Sequence, residues 1–223
     1  MRALSPWRPM RELDPILRRM ENLFERFYVL GLSMGALITQ HLAADFPACV
    51  RRIVLALAGT RGSPEALERG RVWQRLALEE RWAELCLETT RATFTGMHQV
   101  LGCALLPLLV RWPEGSSDFV VSTQACLEHD ARDKLSSIRS PTLVLGGTMD
   151  QLFPAGLFRE VAEAIPHAQL QLIEGSGHGV HIERKTTFNR TVLEFLASDQ
   201  EERGLPLTPQ PEYPRFFGQS PTP

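Results

Sequence analysis

Short apolar runs alternate with helical patterns in the first part of the chain. Phe27–Leu32 has the sequence FYVLGL, whose aromatic and branched residues are typical of a strand buried on both faces. Residues 35–44 then repeat apolar side chains at helical spacing, Pro47 ends that pattern, and residues 50–57 predict a second strand. A strand, a helix and a strand in this order predict a βαβ unit with parallel strands.

The same alternation returns in the last third of the chain. It predicts two more strands and two more helices, in the order 142–145, Ala155–Ala164, 169–174 and 186–197. Because strands and helices alternate again, the expected fold class is α/β with a mostly parallel sheet. Residues 27–59 and 139–198 would form its core.

Residues 60–138 interrupt this alternation. They contain helix-forming stretches, such as residues 64–89, and almost no strand pattern, which predicts a helical insertion. The longest apolar run, residues 100–110, contains Pro107 and has about half of the roughly 20 residues that cross a bilayer. It predicts a buried helix and no membrane partner.

Both ends of the chain differ from this core. Asp14 before Pro15 is typical of a helix start, and the apolar face that follows predicts an amphipathic N-terminal arm over residues 1–26. The face consists of Ile16, Met20, Leu23, Phe24 and Phe27. At the other end, residues 199–223 form a proline-rich tail, a composition that predicts disorder.

Charge and cysteine usage narrow the class of protein. Twenty-four Lys and Arg against 26 Asp and Glu give a net charge of −2, without the basic excess that nucleic-acid binding requires. The four cysteines have no C-x-x-C spacing and predict buried free thiols in a reducing cytoplasm. Residues 1–12 lack the apolar core of a secretory signal. We therefore expect a cytoplasmic protein without a nucleic-acid partner.

Gly31, Ser33 and Gly35 form a G-x-S-x-G motif between the first predicted strand and helix. In this motif a sharp strand-to-helix turn presents the serine hydroxyl above a sheet. A serine hydroxyl is a weak nucleophile at neutral pH, so it requires a base and a carboxylate that orients the base. The N–H of Met34, the residue after the nucleophile, is then a candidate oxyanion donor.

Asp150 and His178 are the candidates for the other two roles. Each follows a predicted strand in a glycine-containing loop, and Ser33, Asp150 and His178 occur in one of the known chain orders of such triads. Two alternatives stay open: Asp150 could instead cap the next helix, and His181 could be the base, a substrate contact or a surface histidine. The other histidines show no spacing of a metal site and are interpreted as structural, namely His41, His98, His129 and His167.

Residues 28–198 resemble an α/β-hydrolase of the lactonase and esterase type. The resemblance rests on YVLGLSMGALITQHLA, PTLVLGGTMDQLFP and IEGSGHGVHIE, which contain Ser33, Asp150 and His178. It implies that these three residues form a catalytic triad, that the insertion is a cap that selects the substrate, and that no cofactor or metal is needed. The implied substrate is a small, partly apolar ester, thioester or lactone, and C–C bond cleavage stays open.

The chain departs from this family at its N-terminus. The family normally has several more strands before the nucleophile, with a loop that donates the second oxyanion N–H, whereas only 32 residues precede Ser33 here. We therefore expect a truncated α/β-hydrolase fold in which the strand Phe27–Leu32 has an unpaired edge. Unpaired edges favour pairing with another chain, so a homo-oligomer is a further expectation.

The predicted arm itself resembles the N-terminal arm of small heat-shock proteins. The resemblance rests on Trp7-x-Pro9-Met10-Arg11-Glu12-Leu13, followed by Met20-x-x-Leu23-Phe24. One hypothesis is therefore an arm of foreign origin joined to a hydrolase; the alternative is an ordinary amphipathic helix that covers the sheet edge. Two functions follow. The first is a serine hydrolase, and the second is a catalytically weak or silent remnant that acts as an oligomeric binding protein, assembled through the N-terminal helix or the exposed sheet edge.

Overall fold

The computed structural model describes residues 26–202. Predictions about the N-terminal arm before residue 26, including its likeness to small heat-shock proteins, lie outside the described residues. So do the predictions for the tail after residue 202. The described residues include the predicted core and the helical insertion.

Four parallel strands form the central sheet of the described chain. They lie in sequence order, as β1 (Phe27–Leu32), β2 (Val50–Ala56), β3 (Thr142–Gly147) and β4 (Ala168–Ile173). The parallel sheet predicted from the alternating pattern is confirmed. All residues of β3 are buried, whereas β1 alternates between exposed and partly buried positions until Gly31. The centre of the sheet thus lies between β2 and β3.

Helices cover both faces of the sheet. On one face lie α1 (Met34–Asp45) and α6 (Ala155–Ala164), whose Leu37 and Phe158 pack on Ile53 and Val144. The other face is covered by α8 (Lys185–Glu202), which follows the short helix α7 (Val180–Glu183). Its apolar side chains Phe188, Val192 and Phe195 pack with Val54, Ala56, Leu143 and Leu145 of the sheet. Alternate residues of β2 therefore serve opposite faces.

Four helices and a short 3₁₀ turn lie between β2 and β3. The helices are α2 (Pro64–Leu78), α3 (Trp82–Thr93), α4 (Gly96–Leu109) and α5 (Ser117–Leu127), and the turn is Leu135–Ser137. We refer to α2–α5 as the inserted helices. The first begins where a helix start is expected, since the Ser63 hydroxyl accepts a hydrogen bond from Ala66 N–H and Pro64 occupies the first turn.

The structure divides the helix-forming stretch of residues 64–89 between two helices, α2 and α3. Glu80 has a φ of 55°, so the backbone turns into the left-handed region there. Arg81 N–H donates to the carbonyl of Leu76 and Glu80 N–H to that of Ala77, which is the hydrogen-bond pattern of a Schellman motif. The usual glycine is absent at this end, so the sequence carries no stop signal.

The apolar run 100–110 does not form the buried helix that its composition predicts. It lies mostly in α4, in which no residue is buried; Val100 is 62% exposed and Leu108 80%. The helix contacts α3, and no second layer among the described residues covers its other side. Apolar composition therefore indicated burial, whereas α3 is the main neighbour of this helix among the described elements. Within residues 26–202, no helix has both the length and the apolar character needed to cross a membrane.

Strand β1 lies at the edge of the described sheet, as the sequence predicts. Among the strands that the structure describes, β1 pairs with β2, for example Leu30 with Val54. On the sheet face that α8 covers elsewhere, Tyr28 is 41% exposed and Leu30 46%. In the part of the chain that the structure describes, the edge therefore presents exposed apolar side chains, a feature that favours contact with another chain.

Candidate active site

Ser33 lies in the tight turn between β1 and α1. Its backbone has φ 51° and ψ −119°, a conformation that residues with a side chain rarely adopt. The turn is held on both sides, because Ser33 N–H donates to the carbonyl of Ala56 at 2.9 Å while the Ser33 carbonyl accepts from Ala36 and Leu37. These bonds maintain the strained position of the side chain at the carboxyl end of the sheet.

The two glycines of the motif play different parts in this turn. A β-carbon on Gly31 would lie 2.6 Å from the Cα of Ala36 and from the carbonyl oxygen of Gly35, so α1 could not approach β1 so closely. A β-carbon on Gly35 would meet nothing within 4 Å. Close packing therefore requires the first glycine of the motif and not the second.

The structure brings the three predicted site residues into one hydrogen-bonded chain. Ser33 Oγ lies 2.8 Å from His178 Nε2, and His178 Nδ1 lies 2.8 Å from Asp150 Oδ2. The Asp150 side chain has no solvent exposure and that of His178 only 8%. With Nδ1–H donating to the carboxylate, Nε2 of a neutral imidazole is left to accept the serine proton.

Asp150 also organises its own loop. Its Oδ1 atom accepts hydrogen bonds from the N–H groups of Leu152 at 2.8 Å and Phe153 at 2.9 Å. The alternative that Asp150 caps the next helix is not realised, because α6 begins at Ala155 after Pro154 without a side-chain cap. Asp150 instead holds the turn before that helix with one carboxylate oxygen and contacts His178 with the other. Because Oδ1 is held by the backbone, Oδ2 is directed at the imidazole.

The loops after β3 and β4 pack directly against each other. Met149 N–H donates to the carbonyl of Ser176 at 2.9 Å. A β-carbon on Gly147 would lie 2.2 Å from that same carbonyl oxygen, so only glycine allows this approach. The ring of Phe153 stacks on His178 with centroids 5.9 Å apart. The imidazole is thus positioned by both its hydrogen bonds and its packing.

His181 does not join the hydrogen-bonded chain. It lies on α7, where its ring contacts Phe188 edge to face with centroids 6.2 Å apart. Burial lowers the pKa of His181, and the neighbouring His178 lowers it further. Between the two candidate bases, the geometry brings His178 to the serine.

Glu183 belongs to the surroundings of the site, although no sequence motif pointed to it. Its carboxylate accepts from Gly177 N–H at 2.6 Å and from the Thr95 hydroxyl at 2.9 Å, and it also accepts from Thr95 N–H. The only sequence signal was an acidic residue within IEGSGHGVHIE. Its partner Thr95 is 88 positions away, beyond the reach of a local motif.

A cavity of about 220 Å³ lies beside Ser33, between the sheet and the inserted helices. Most of its lining is apolar or aromatic, and α2 and α5 supply much of it. The lining includes Met34, Leu37, Leu67, Trp73, Phe119, Leu127 and Phe153. Its polar members include Thr89, Ser122 and Thr123. The nucleophile candidate thus lies in the wall of a largely apolar space.

The four cysteines are free thiols, and one of them, Cys126, lies in the wall of the cavity. Burial raises the pKa of the Cys126 thiol. Cys49 is buried, whereas Cys86, Cys103 and Cys126 are partly exposed, so the prediction of buried thiols is correct for only one of the four. Among the described side chains, no group of three or more histidine, cysteine or acidic residues could hold a metal ion.

His41 and His129 pack edge to face, with ring centroids 5.3 Å apart. His129 Nε2 lies 3.1 Å from Gln40 Oε1, and the Gln40 amide donates to the carbonyl of Gly59 at 3.0 Å. Burial, and to a smaller extent the neighbouring His41, lower the pKa of His129 to about 4. This cluster connects the end of the inserted helices to α1, the helix that follows Ser33.

Comparison with known proteins shows similarity over most of the chain. Residues 2–191 match the model of the alpha/beta hydrolase family. The chain is 27% identical over 186 residues to a protein named for carbamate hydrolysis, RutD of Rhizobium rhizogenes strain K84, covering 80% of this chain and 70% of that protein. It is 30% identical over 184 residues to BpoC of Mycobacterium tuberculosis strain CDC 1551, named as a non-heme bromoperoxidase, covering 76% and 68%.

Solved structures agree with the fold. The enol-lactonase from Burkholderia xenovorans LB400 superposes with a TM-score of 0.67 at 25% sequence identity, covering 87% of this chain and 75% of that one.

A local match to RutD of Caulobacter sp. strain K31, 38% identical over 76 residues, covers 34% of this chain and only 28% of that protein. The matches thus span between 28% and 75% of these relatives. The family match includes most of the predicted arm, whose likeness to small heat-shock proteins stays a prediction.

Proposed function

Because this chain belongs to the alpha/beta hydrolase family, we propose that it is a serine hydrolase that cleaves the ester, thioester or lactone bond of a compact, largely apolar substrate. One observation carries the proposal: Ser33 Oγ, His178 and Asp150 form a hydrogen-bonded chain with two 2.8 Å contacts, and Ser33 borders an apolar cavity. This is the arrangement that activates a serine hydroxyl.

In the first proposed step, Ser33 Oγ attacks the carbonyl carbon of the substrate. His178 Nε2 takes the hydroxyl proton as the new C–O bond forms, and the carbonyl electrons move to oxygen. The buried Asp150 carboxylate stabilises the resulting imidazolium through Nδ1–H. Met34 N–H opens α1, where the first N–H groups have no partner within the helix, and is the proposed oxyanion donor.

In the second step, the tetrahedral intermediate collapses. The carbonyl re-forms, the bond to the leaving alcohol or thiol breaks, and the His178 imidazolium protonates the departing group. Ser33 then carries the acyl group as an ester. Water, deprotonated by His178, attacks this ester, and the acid and the free serine are released. The reaction as proposed requires side chains, backbone and water.

The cavity supports a compact acyl group as the preferred substrate. Its volume of about 220 Å³ lies below the roughly 300–1,000 Å³ of drug-sized ligand sites. Apolar side chains dominate its wall, with the hydroxyls of Thr89, Ser122 and Thr123 as polar exceptions. The names of the Burkholderia and Rhizobium relatives make lactones and carbamates the first natural substrate classes to try beside simple esters.

The test compares the wild-type chain with Ser33→Ala on nitrophenyl acetate, butyrate and decanoate. Because removal of the nucleophile typically costs about 10⁶ in turnover, Ser33→Ala should fall to the rate of the buffer. Ser136→Ala, at an exposed serine that does not line the cavity, is the matched control and should keep its ester turnover. A fluorophosphonate should label Ser33 alone, as read by peptide mass spectrometry. Equal turnover of wild type and Ser33→Ala would refute the proposal.

A second candidate is a binding protein that self-associates and turns over little substrate. The exposed apolar edge of β1 favours it, since such edges pair with other chains. Sedimentation velocity decides between the candidates together with the ester assay: a folded oligomer without Ser33-dependent turnover would support the second.

A further inference from the structure

The connection between α3 and α4 rests on the loop that carries His178. Thr93, the last residue of α3 before that connection, accepts a hydrogen bond through its carbonyl from Gly179 N–H at 2.7 Å. The approach is close: a β-carbon on Gly177 would lie 2.9 Å from the Thr93 carbonyl oxygen, and one on Gly179 would lie 2.5 Å from the Phe94 ring. The inserted helices and the histidine loop thus form a tightly packed contact on both sides of His178.

Glu183 links the two sides of this contact. One carboxylate oxygen accepts from the N–H and the hydroxyl of Thr95, and the other accepts from Gly177 N–H, the residue before His178. Glu183 is only 7% exposed. Hydrogen bonds to an ionised carboxylate are roughly twice as strong as those between neutral groups. The carboxylate loses its hydrogen bonds to water on burial, and these three hydrogen bonds replace them.

The same helix that ends at this contact also borders the cavity. Thr89 of α3 lines the cavity beside Ser33, and Thr93 at the end of α3 meets the histidine loop. A displacement of α3 by a group in the cavity would thus be transmitted along one helix to the residues next to His178.

We infer that Glu183 is a positioning residue, which couples the segment Thr93–Thr95 of the inserted helices to the loop that holds the His178 imidazole in line with Ser33. This inference rests on the proposed hydrolase function and adds to it a residue outside the hydrogen-bonded chain of Ser33, His178 and Asp150. It also gives the inserted helices a part in the alignment of the base, beyond forming the cavity wall.

Glu183→Gln tests the role with a side chain of the same shape. An amide has one acceptor oxygen, so either the Thr95 donors or Gly177 N–H must face an NH₂ group. We expect kcat on nitrophenyl butyrate to fall about tenfold or more with KM within about twofold, because small displacements of a catalytic group lower turnover more than binding. Glu194→Gln, whose side chain is 71% exposed on α8, is the matched control and should equal wild type.

Hydrogen exchange provides a readout that does not depend on activity. In Glu183→Gln, amides at residues 93–95 and 177–179 should exchange faster, while the slowest amides of β2 and β3 should be unchanged. Thr95→Val removes only the hydroxyl bond and should accelerate exchange at residues 177–179, across the contact. Thr95→Ser keeps the hydroxyl, so both its exchange rates and its kcat should equal those of wild type. A merely structural role would accelerate exchange throughout the core instead.

The outcomes separate this inference from the proposed function. If wild type shows no Ser33-dependent turnover, the proposed function fails, and the exchange of residues 177–179 in Thr95→Val still decides whether the coupling exists. If wild type is active and Glu183→Gln has wild-type kcat and exchange, the inference is overturned and the hydrolase proposal stands. Should Glu183→Gln not fold, Thr95→Val with Thr95→Ser makes the same test.

Discussion

Acid pH should destabilise the chain through His129 before the carboxylates titrate. The residue is only 3% exposed, and burial, followed by the influence of His41, lowers its pKa to about 4. Its neighbour Gln40 donates its amide N–H to the carbonyl of Gly59, so the Gln40 oxygen faces His129 and accepts from Nε2–H. The folded state therefore holds a neutral imidazole in a position that is unfavourable for a charge.

The magnitude follows from the difference between the two states. The unfolded chain protonates His129 near pH 6.5, whereas the folded chain does so near pH 4. Because the folded pKa is depressed, the stabilisation is complete above pH 6.5 and is lost as the pH falls toward 4. The full difference corresponds to about 3 kcal/mol in the free energy of unfolding, of which about 2 kcal/mol is lost by pH 5. His41, whose pKa is also lowered by burial, acts in the same direction.

Urea unfolding of wild type and His129→Gln at about pH 7.5 and about pH 5 measures this contribution. Glutamine retains a donor for Gln40 but does not titrate, so the variant should lose about 2 kcal/mol less than wild type between the two pH values. The comparison uses the change in the free energy of unfolding between the two pH values, so any pH-independent effect of the substitution cancels. His98→Gln, at an exposed position, is the control and should follow wild type. Equal losses in wild type and His129→Gln would refute the reasoning.

Three further substitutions test the site. Asp150→Asn should lower kcat on the order of 10⁴-fold, because an amide selects the wrong imidazole tautomer; a loss below tenfold in the ester assay would contradict this. Gly147→Ala places a β-carbon 2.2 Å from the Ser176 carbonyl oxygen and should cost about 1–3 kcal/mol in urea unfolding, whereas Gly156→Ala, with open space around its β-carbon, should cost none. Ala66→Phe narrows the cavity and should raise KM for nitrophenyl decanoate more than for the acetate; parallel changes would argue against this cavity as the acyl site.

The elements of the sheet were predictable because their signals are local. Strand Phe27–Leu32 and helix Ala155–Ala164 have the predicted limits, since apolar runs and helical spacing are read within a few residues. The break at Glu80 was not predictable, because a non-glycine residue takes the left-handed position there. The exposure of α4 was missed for another reason: composition records that a helix is apolar but not whether a second layer exists to cover it.

The site shows the same division between local and distant information. Ser33, Asp150 and His178 could be chosen from one motif and from glycine-containing loops after strands. The fold places Ser33 Oγ and Asp150 Oδ2 each 2.8 Å from a ring nitrogen of His178. Glu183 was missed because its role depends on Thr95, which lies in the inserted helices. No periodicity places those helices against the histidine loop, so the contact between them had to come from tertiary structure.

Asp150 uses its two carboxylate oxygens for two different contacts. Its Oδ1 atom satisfies the N–H groups of Leu152 and Phe153, and its Oδ2 atom faces His178 Nδ1. A carboxylate offers about four acceptor sites, enough for both tasks. The two backbone hydrogen bonds also restrict the rotation of the carboxylate. The second oxygen is therefore held in its direction toward His178. Asn at this position can still accept from the loop through one oxygen but must then present NH₂ to the imidazole, which separates the structural role from the electrostatic one.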